Sequence, residues 1–565
     1  MGWITGIFGK SEILRDRLGT IGSGALHSII GDDFVVYTGG FARNCKSVSC
    51  VDGRRAIIAG AGLVDSPDGK RLADDDHWAR ILFASSVPEL PAGHYVCCIA
   101  SPRELIFYND PIGIRDIFFV ESGGSIAFST HPRHLKSIVP ASGLDLAEFA
   151  GAWLLFDNLS AGSIYKGWRR MSPHGRCRIS AQGIDLSINS WQPSDKPSTA
   201  DDFYDLLEKY MQSPGESAPG ATLGMSGGID SRMLLAAARH GYEYHTIGDP
   251  DNPDVRIAAK LCKNIGLHCL EFNYPDAGWI DRADEIAEYI EDNRLTTTAS
   301  EFMNKICYKN INDKVIIDGG MGEIARRGFF NSLKYRAKNA IINKDAEKLF
   351  PHQAYPRADI FNPEFDNKIN KMALESVREL LESMPDASQT GIDAWLDLLA
   401  LRVKYPNHMG PEQSRMDCEA MGFSPFAMHD LVDTALNIPL HKRLGGRIFR
   451  RYIRRRRPEL TRLPLVRNEA VYPYRLPQFA GNVVSDIRRK TGFYYRKHEI
   501  GRFLRAMKPL IDELINDPAF RQCAIYDLDK IINMYNSFFA GDDSRAGELD
   551  WWLTFELFRR NTGLI

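Results

Sequence analysis

The sequence lacks any stretch approaching the roughly 20 apolar residues that a membrane-spanning helix needs. Its opening, MGWITGIFGKSEILRDRLG, turns charged at Lys10, too early for the apolar region of a signal peptide. A soluble, cytoplasmic chain with no membrane partner is therefore expected. Neither sign of charge dominates: 70 Lys and Arg stand against 72 Asp and Glu, a formal net charge of −2. The basic excess of a dedicated nucleic-acid binder is missing, and no nucleic-acid partner is expected. Cysteine is sparse, ten in 565 residues, without the density of a secreted disulfide scaffold. The tightest pairs, Cys45 with Cys50 and Cys97 with Cys98, lack a second ligand pair at zinc spacing. The histidines form no HExxH or paired metal spacing and read as structural or surface residues. No internal repeat or low-complexity tract is present. What remains is a composition of ordinary globular type, 44% hydrophobic and 25% charged. The length exceeds the roughly 250–300 residues at which single cores stop growing, so more than one core is expected.

Residues 1 to about 190 are rich in short apolar runs: FVVYTGG, AIIAGAGLV, HYVCCIA, ELIFYN, DIFFVE and SIAFST. Gly, Pro, Asp and Ser turns separate them, the pattern of packed antiparallel sheets. QPSDKPSTADD (192–202) is the best linker candidate. Beyond it the rhythm changes. ATLGM is a short strand, SGGID a turn, SRMLLAAARH a helix closed by Gly241, and EYHTIG a second strand. That order predicts a βαβ unit of a parallel sheet, which VRIAAKLCKNIG and HCLEFNY continue. From about residue 335 most segments carry helical periodicity, LDWWLTFELFRR among them. Trp551 and Trp552 read as C-terminal core.

The most informative segment is Leu223-Gly-Met-Ser-Gly-Gly-Ile-Asp-Ser-Arg232. Two glycines after a strand let the backbone turn sharply and approach a ligand. Ser226, Ser231 and the loop amides can point at an anion, and the following helix adds its positive end. Asp230 would repel phosphate unless a cation lies between, and magnesium held by a carboxylate and phosphate oxygens fits. The lysine-bearing phosphate loop of kinases and GTPases is absent, which disfavours γ-phosphoryl transfer. A tight turn with small residues for packing is the plain alternative.

Ser226-Gly-Gly-Ile-Asp-Ser231 resembles the SGGxDS pyrophosphate loop of ATP pyrophosphatases, which cleave ATP between the α and β phosphates. HTIGDPDNPDVRIAAKLCKNIGL (245–267) resembles the segment downstream of that loop in the asparagine synthetase family. The resemblance implies that Leu223, Thr246, Ile247 and Gly248 line the nucleotide, with Asp254 just beyond. VIIDGGMGEIARRGF (315–329) resembles the family's VVLSGEGADEVFGGY block. In that pairing Glu323 replaces a magnesium-binding Asp, Gly319 keeps the glycine turn, Asp318 replaces a Ser, and Gly320 replaces an acidic residue.

The front half resembles the same family's glutamine-hydrolysing domain. The family begins MCGIxGIF, whereas this chain begins Met1-Gly-Trp-Ile-Thr-Gly-Ile-Phe8. The family's nucleophile is the cysteine at position 2; Gly2 has no side chain, so covalent catalysis there is impossible. The glutamine-holding NGEIYN is matched by Gly60-Ala-Gly-Leu-Val-Asp65, without its Asn and Glu. Structural blocks persist: Asn109-Asp-Pro-Ile-Gly-Ile-Arg-Asp116 resembles RDPLGIRP, and Ser125-Ile-Ala-Phe-Ser129 resembles the family's FASE strand.

A member without glutaminase chemistry needs another nucleophile. Two branches fit by resemblance, β-lactam synthetases and lasso peptide cyclases, with the latter favoured. Both activate a carboxylate as its acyl-adenylate and let an amine of the same molecule attack. Intramolecular geometry can replace roughly 7–11 kcal/mol of barrier. Other amide-forming relatives that act on a small molecule with free ammonia or an outside amine, and a non-catalytic ATP-binding scaffold, are the remaining readings. Gln413-Ser-Arg-Met-Asp417 and Met421 to Asp430 resemble the family's WGVEARVPFLD region. Arg415, Asp417 and Asp430 are then either substrate contacts or an interhelical salt-bridge set. Arg447, Arg450, Arg451 and Arg454 share one helical face, either solvated or an anion-holding wall. A family lysine that reaches the phosphates is matched by Arg467, or less well by Arg462; arginine keeps the charge but cannot relay a proton.

The resemblance thus implies an α/β chain. An N-terminal-nucleophile-type α/β/β/α sandwich, degenerate and amidotransferase-like (1–192), precedes a parallel-sheet ATP pyrophosphatase synthetase domain with a large helical extension (200–565). ATP and Mg2+ are the expected cofactors. Asp230 and Glu323 would bind magnesium, and Ser226, Gly227, Gly228 and Ser231 would cradle pyrophosphate. Asp230, Glu323 and Arg467 form the catalytic set. The expected partners are a precursor peptide substrate and a leader-processing protease.

Overall fold

A computed structural model describes residues 2–564 except 86, 172, 174, 189–190, 218–219, 239–240, 312–313, 418–419 and 492–494. In the first half, Trp3–Phe8 lies between Ser125–Ser129 and Phe34–Gly39 in a six-stranded antiparallel sheet. Arg55–Ser66 and Ala92–Ser101 pair antiparallel at the centre of a second sheet. Every apolar run noted above falls on a strand of one of these two sheets.

The alternation of side chains decides the layering. Ile4, Phe8 and Val36 of the first sheet meet Ile57, Val96, Cys98 and Phe107 of the second in a dry seam. The opposite face of the first sheet, through Ile7, Val35 and Val120, is covered by Leu14, Leu18, Leu135 and Ile138 from the helices Glu12–Gly22 and Pro132–Ile138. The outer face of the second is covered by Trp78 and Leu82 of Asp75–Phe83. The order is therefore helix, sheet, sheet, helix, as expected.

The second half is built on five parallel strands in the order Cys269–Phe272, Tyr242–Ile247, Ala221–Gly224, Val315–Ile317, Met421–Phe423. Ala221–Gly224 is central, so its C-terminal end opens between two neighbours, the position where open α/β sheets bind ligands. Helices dominate the rest, with Trp552 fully buried in Ala546–Thr562.

The two halves do not keep their cores apart. Phe149 and Trp153 of the first half pack against Phe361 and Phe555 of the second, with ring centroids 5.2–6.1 Å apart. One continuous cluster runs from Ile7 to Phe558. Between the halves, Ser194 donates from its amide and hydroxyl to Asp433, and Ser198 N–H donates to the Asn437 carbonyl, so the linker lies along the second half. No helix among the described residues is long and apolar enough to cross a membrane.

Candidate functional site

The loop after Ala221–Gly224 folds on its own hydroxyls. Ser226 and Ser231 hydroxyls lie 2.9 Å apart, Ser226 N–H donates to Ser231 Oγ at 3.2 Å, and Gly228 N–H donates to Ser226 Oγ at 3.2 Å. Gly227 N–H donates to Asp254 Oδ1 at 3.0 Å. Burial lifts the Asp254 carboxyl to about 6, with the Gly227 amide and Arg232 pulling the other way. The need for glycine differs from the expected sharp turn, because neither Gly227 nor Gly228 has a positive φ. Gly227 is required by proximity instead: a Cβ there would stand 2.4 Å from Val466 Cγ2.

Val466 belongs to a hairpin, Leu465–Arg467 with Ala470–Tyr472, whose turn residues Asn468 and Glu469 have φ of 45° and 62°. Both values lie in the left-handed region that tight two-residue hairpins use. Val466 N–H donates to the Gly227 carbonyl at 3.0 Å, laying the hairpin across the loop. Arg232, fully buried, fastens it. Its guanidinium donates to the carbonyls of Leu460 (2.8 Å), Leu463 (2.9 Å), Gly227 (3.2 Å) and Pro464.

Asp230 lies in the first turn of the next helix, Ile229–Ala237, and the block after Val315–Ile317 is pressed against it. A Cβ on Gly322 would meet Asp230 Oδ1 at 2.2 Å, and one on Gly319 would meet Ser231 N at 3.1 Å. Glu323 comes alongside. Between the two carboxylates sits Arg326, a residue the motifs alone do not single out. Its Nε donates to Asp230 Oδ1 at 2.9 Å and its Nη2 to Oδ2 at 2.5 Å, and Nη2 is 3.3 Å from Glu323 Oε1. Burial raises the Asp230 carboxyl to about 6 against the pull of Arg326. For Glu323 burial acts upward too, but Arg326 and Arg467 outweigh it and hold that carboxyl low.

The expected residues come together selectively. Arg467 reaches the charge cluster, with Nε on Asn482 Oδ1 at 2.6 Å, whereas Arg462 is exposed. Thr246 and Leu223 are buried at the strand ends, and Gly248 adopts a φ of 135° that favours glycine. Asp430 braces the fold, accepting from Tyr210 and lying 3.4 Å from Lys70. The side chains of Arg415 and Asp417 lie outside the described residues. Arg447, Arg451 and Arg454 are exposed, which favours the solvated face, while Arg450 grips the carbonyls of Tyr474 and Leu476. Arg232 and Arg326 were detectable only as arginines inside otherwise apolar or glycine-rich segments.

Two cavities flank Arg467 and Asn468. One is an open cleft of about 960 Å³ counting its solvent-filled mouth, and includes Asp254, Tyr274, Asn304 and Val466 in its wall. The other, an open cleft of about 1690 Å³ counting its solvent-filled mouth, runs from Glu323 and Lys404 past Phe330 to Phe156 and Tyr355. Among the described residues no three or more His, Cys, Asp or Glu form a complete metal cage. Two carboxylates aimed at one shared cation do suit magnesium, which takes its remaining ligands from phosphate and water.

Residues 205–461 match the family model described as asparagine synthase. Over that stretch, just under half of its length, the chain is similar to an asparagine synthase domain. Such domains are those of ATP-dependent, asparagine synthetase-like ligases, and the family uses ATP, typically with Mg2+. No curated protein matches the chain. Two solved structures align with it weakly. Glutamine phosphoribosylpyrophosphate amidotransferase from B. subtilis has 11% identity, covering 57% of this chain and 77% of its own, with a TM-score of 0.23. The allosteric regulatory enzyme of purine biosynthesis has 12% identity, covering 57% and 76%, with the same TM-score. Ahead of the matched residues, position 2 has no room for a side chain: a Cβ on Gly2 would lie 2.6 Å from the Asn44 carbonyl oxygen.

Proposed function

We propose that this chain is a lasso peptide cyclase with two units, residues 1–192 and 200–565. It would adenylate an Asp or Glu side chain of a precursor peptide and close a macrolactam with the peptide's N-terminal amine, releasing AMP and pyrophosphate. The observation that carries this reading is the pair of cavities meeting at Arg467. A nucleotide in the smaller one and a carboxylate in the larger one would face each other across Arg467. The larger cleft, with aromatic and charged walls, suits a folded peptide better than a free amino acid.

Ser226, Gly227, Gly228 and Ser231 would hold the pyrophosphate, and Thr246 to Gly248 the nucleoside. Asp230 and Glu323 would hold magnesium, which offsets the charge of departing pyrophosphate. Arg467 would stabilise charge developing at the α-phosphate as the carboxylate attacks. With no cysteine at position 2 to release ammonia from glutamine, and no room for one beside Asn44, the amine would come from the peptide itself. A protease that trims the precursor's leader would act first and expose that amine.

The test is mass spectrometry of a candidate precursor peptide with ATP and magnesium. Loss of one water with equimolar AMP supports the reading. AMP formed only with a free amino acid would turn it toward small-molecule amide synthesis. No AMP with any carboxylate would remove adenylation altogether.

A further inference from the structure

Arg326 is held as few surface arginines are. Its side chain is 3% exposed, it stacks 5.9 Å from the Phe449 ring centroid, and Nη1 donates to Gln478 Oε1 at 3.0 Å. Its Nε and Nη2 take both oxygens of Asp230, and Nη2 also reaches Glu323. In the pairing of the 315–329 block with VVLSGEGADEVFGGY, Arg326 stands at the family's Phe. The guanidinium is therefore an addition to the ordinary carboxylate pair.

Its location has a consequence for the order of binding. The two carboxylates suited to a divalent cation already share a positive charge, and a bare divalent ion approaching them meets that charge as a repulsion. A nucleoside triphosphate changes the balance. Its phosphate oxygens accept a guanidinium fork as well as a carboxylate does, so they can draw Arg326 onto themselves and release Asp230 and Glu323 to the ion they carry. Gln478 and Phe449 keep the guanidinium beside the loop that would hold those phosphates.

We propose that Arg326 is a positioning counter-ion: it keeps Asp230 and Glu323 together, and the divalent cation enters only with the nucleotide that takes the guanidinium over. This rests on the nucleotide reading above. Mn2+ is the probe, followed by electron paramagnetic resonance with and without the non-hydrolysable α,β-methylene analogue of ATP. The wild type should bind Mn2+ at least about tenfold more tightly with the analogue than alone. Arg326→Gln should bind Mn2+ alone at least about tenfold more tightly than the wild type and lose most of the analogue's enhancement. Arg326→Lys, which keeps the charge but not the fork, should fall between them and covers the case in which the glutamine variant does not fold. A wild type that binds the analogue yet takes Mn2+ alone as readily as Arg326→Gln or Arg326→Lys would overturn the counter-ion. Failure of the analogue to bind the wild type would overturn the nucleotide reading instead.

Discussion

Gly322→Ala is the sharpest test of how the site is packed. Alanine is favoured over glycine by about 1 kcal/mol within a helix, and Gly322 opens the short helix Gly322–Ala325. Against that, the added methyl would lie 2.2 Å from Asp230 Oδ1 and 2.6 Å from its Cγ. Non-bonded carbon contacts settle near 3.5 Å, so something must move by about 1 Å. Asp230 cannot yield freely, because Arg326 holds both its oxygens and is itself held by Gln478. Overpacking costs about 1–3 kcal/mol, leaving a net loss of roughly 0–2 kcal/mol in stability. The larger effect is on geometry, since a 1 Å displacement at a reacting centre can cost about 10²-fold. AMP formation should therefore fall about a hundredfold while the melting temperature drops by only a few degrees. Gly320→Ala is the control: its methyl would meet the flexible Met409 Cε at 3.0 Å and Asp318 Oδ2 at 3.3 Å. It should keep activity within about threefold, because a Met tip repacks at little cost. A Gly322→Ala enzyme as active as the Gly320→Ala control would refute the argument.

The same geometry makes three further outcomes testable. Arg232→Met should lower stability in urea by at least about 3 kcal/mol, because buried carbonyls of Leu460 and Gly227 lose a charged donor; a change under about 1 kcal/mol would show that the hairpin holds without it. Asp254→Asn should change the pH dependence of folding. The folded carboxyl titrates near 6 and the unfolded one near 3.9, so the native state binds the proton more tightly and the wild type loses stability as pH rises between them. The variant should thus gain on the wild type from pH 4 to 6, by at most about 3 kcal/mol, and run parallel to it above pH 7; parallel curves throughout would reject the buried carboxyl. Gly2→Cys should melt at a lower temperature and release no glutamate from glutamine, since its Cβ would overlap the Asn44 backbone; measurable glutaminase activity would show that the pocket had kept its shape.

The strands of the first half were legible because apolar runs broken by turn residues leave few other choices. Ser226 to Ser231 was legible because small residues after a strand suit few other purposes. The shared core was not, since the contacts of Phe149 and Trp153 with Phe361 and Phe555 depend on docking that no local period encodes. The hairpin carrying Arg467 escaped notice because its strands are three residues each, too short for alternation to register. Arg232 and Arg326 escaped for a different reason. Arginine usually signals an exposed face, and only the carbonyls and carboxylates gathered around these two reveal that they are buried.

The altered acidic block takes on a different meaning in three dimensions. By resemblance, the family's carboxylate at position 320 is lost and a new one appears at 318. A Cβ on Gly320 would lie 3.3 Å from Asp318 Oδ2, so the carboxylate of Asp318 sits against the space where a side chain at 320 would begin. The Gly320 amide donates to Asp318 Oδ1 at 3.2 Å and fixes it there. Burial, with Glu412 and Glu323 adding to it, lifts the Asp318 carboxyl to about 6. The negative charge at 318 thus stands next to the point from which a side chain at 320 would start. Glycine at 320 leaves room for the exchange: a single methyl there fits with a small shift of Met409, whereas a longer side chain would extend into the volume Asp318 occupies. The cluster keeps its acidic character beside Asp230 and Glu323, while Arg326 and Arg467 bring in the cations that balance it.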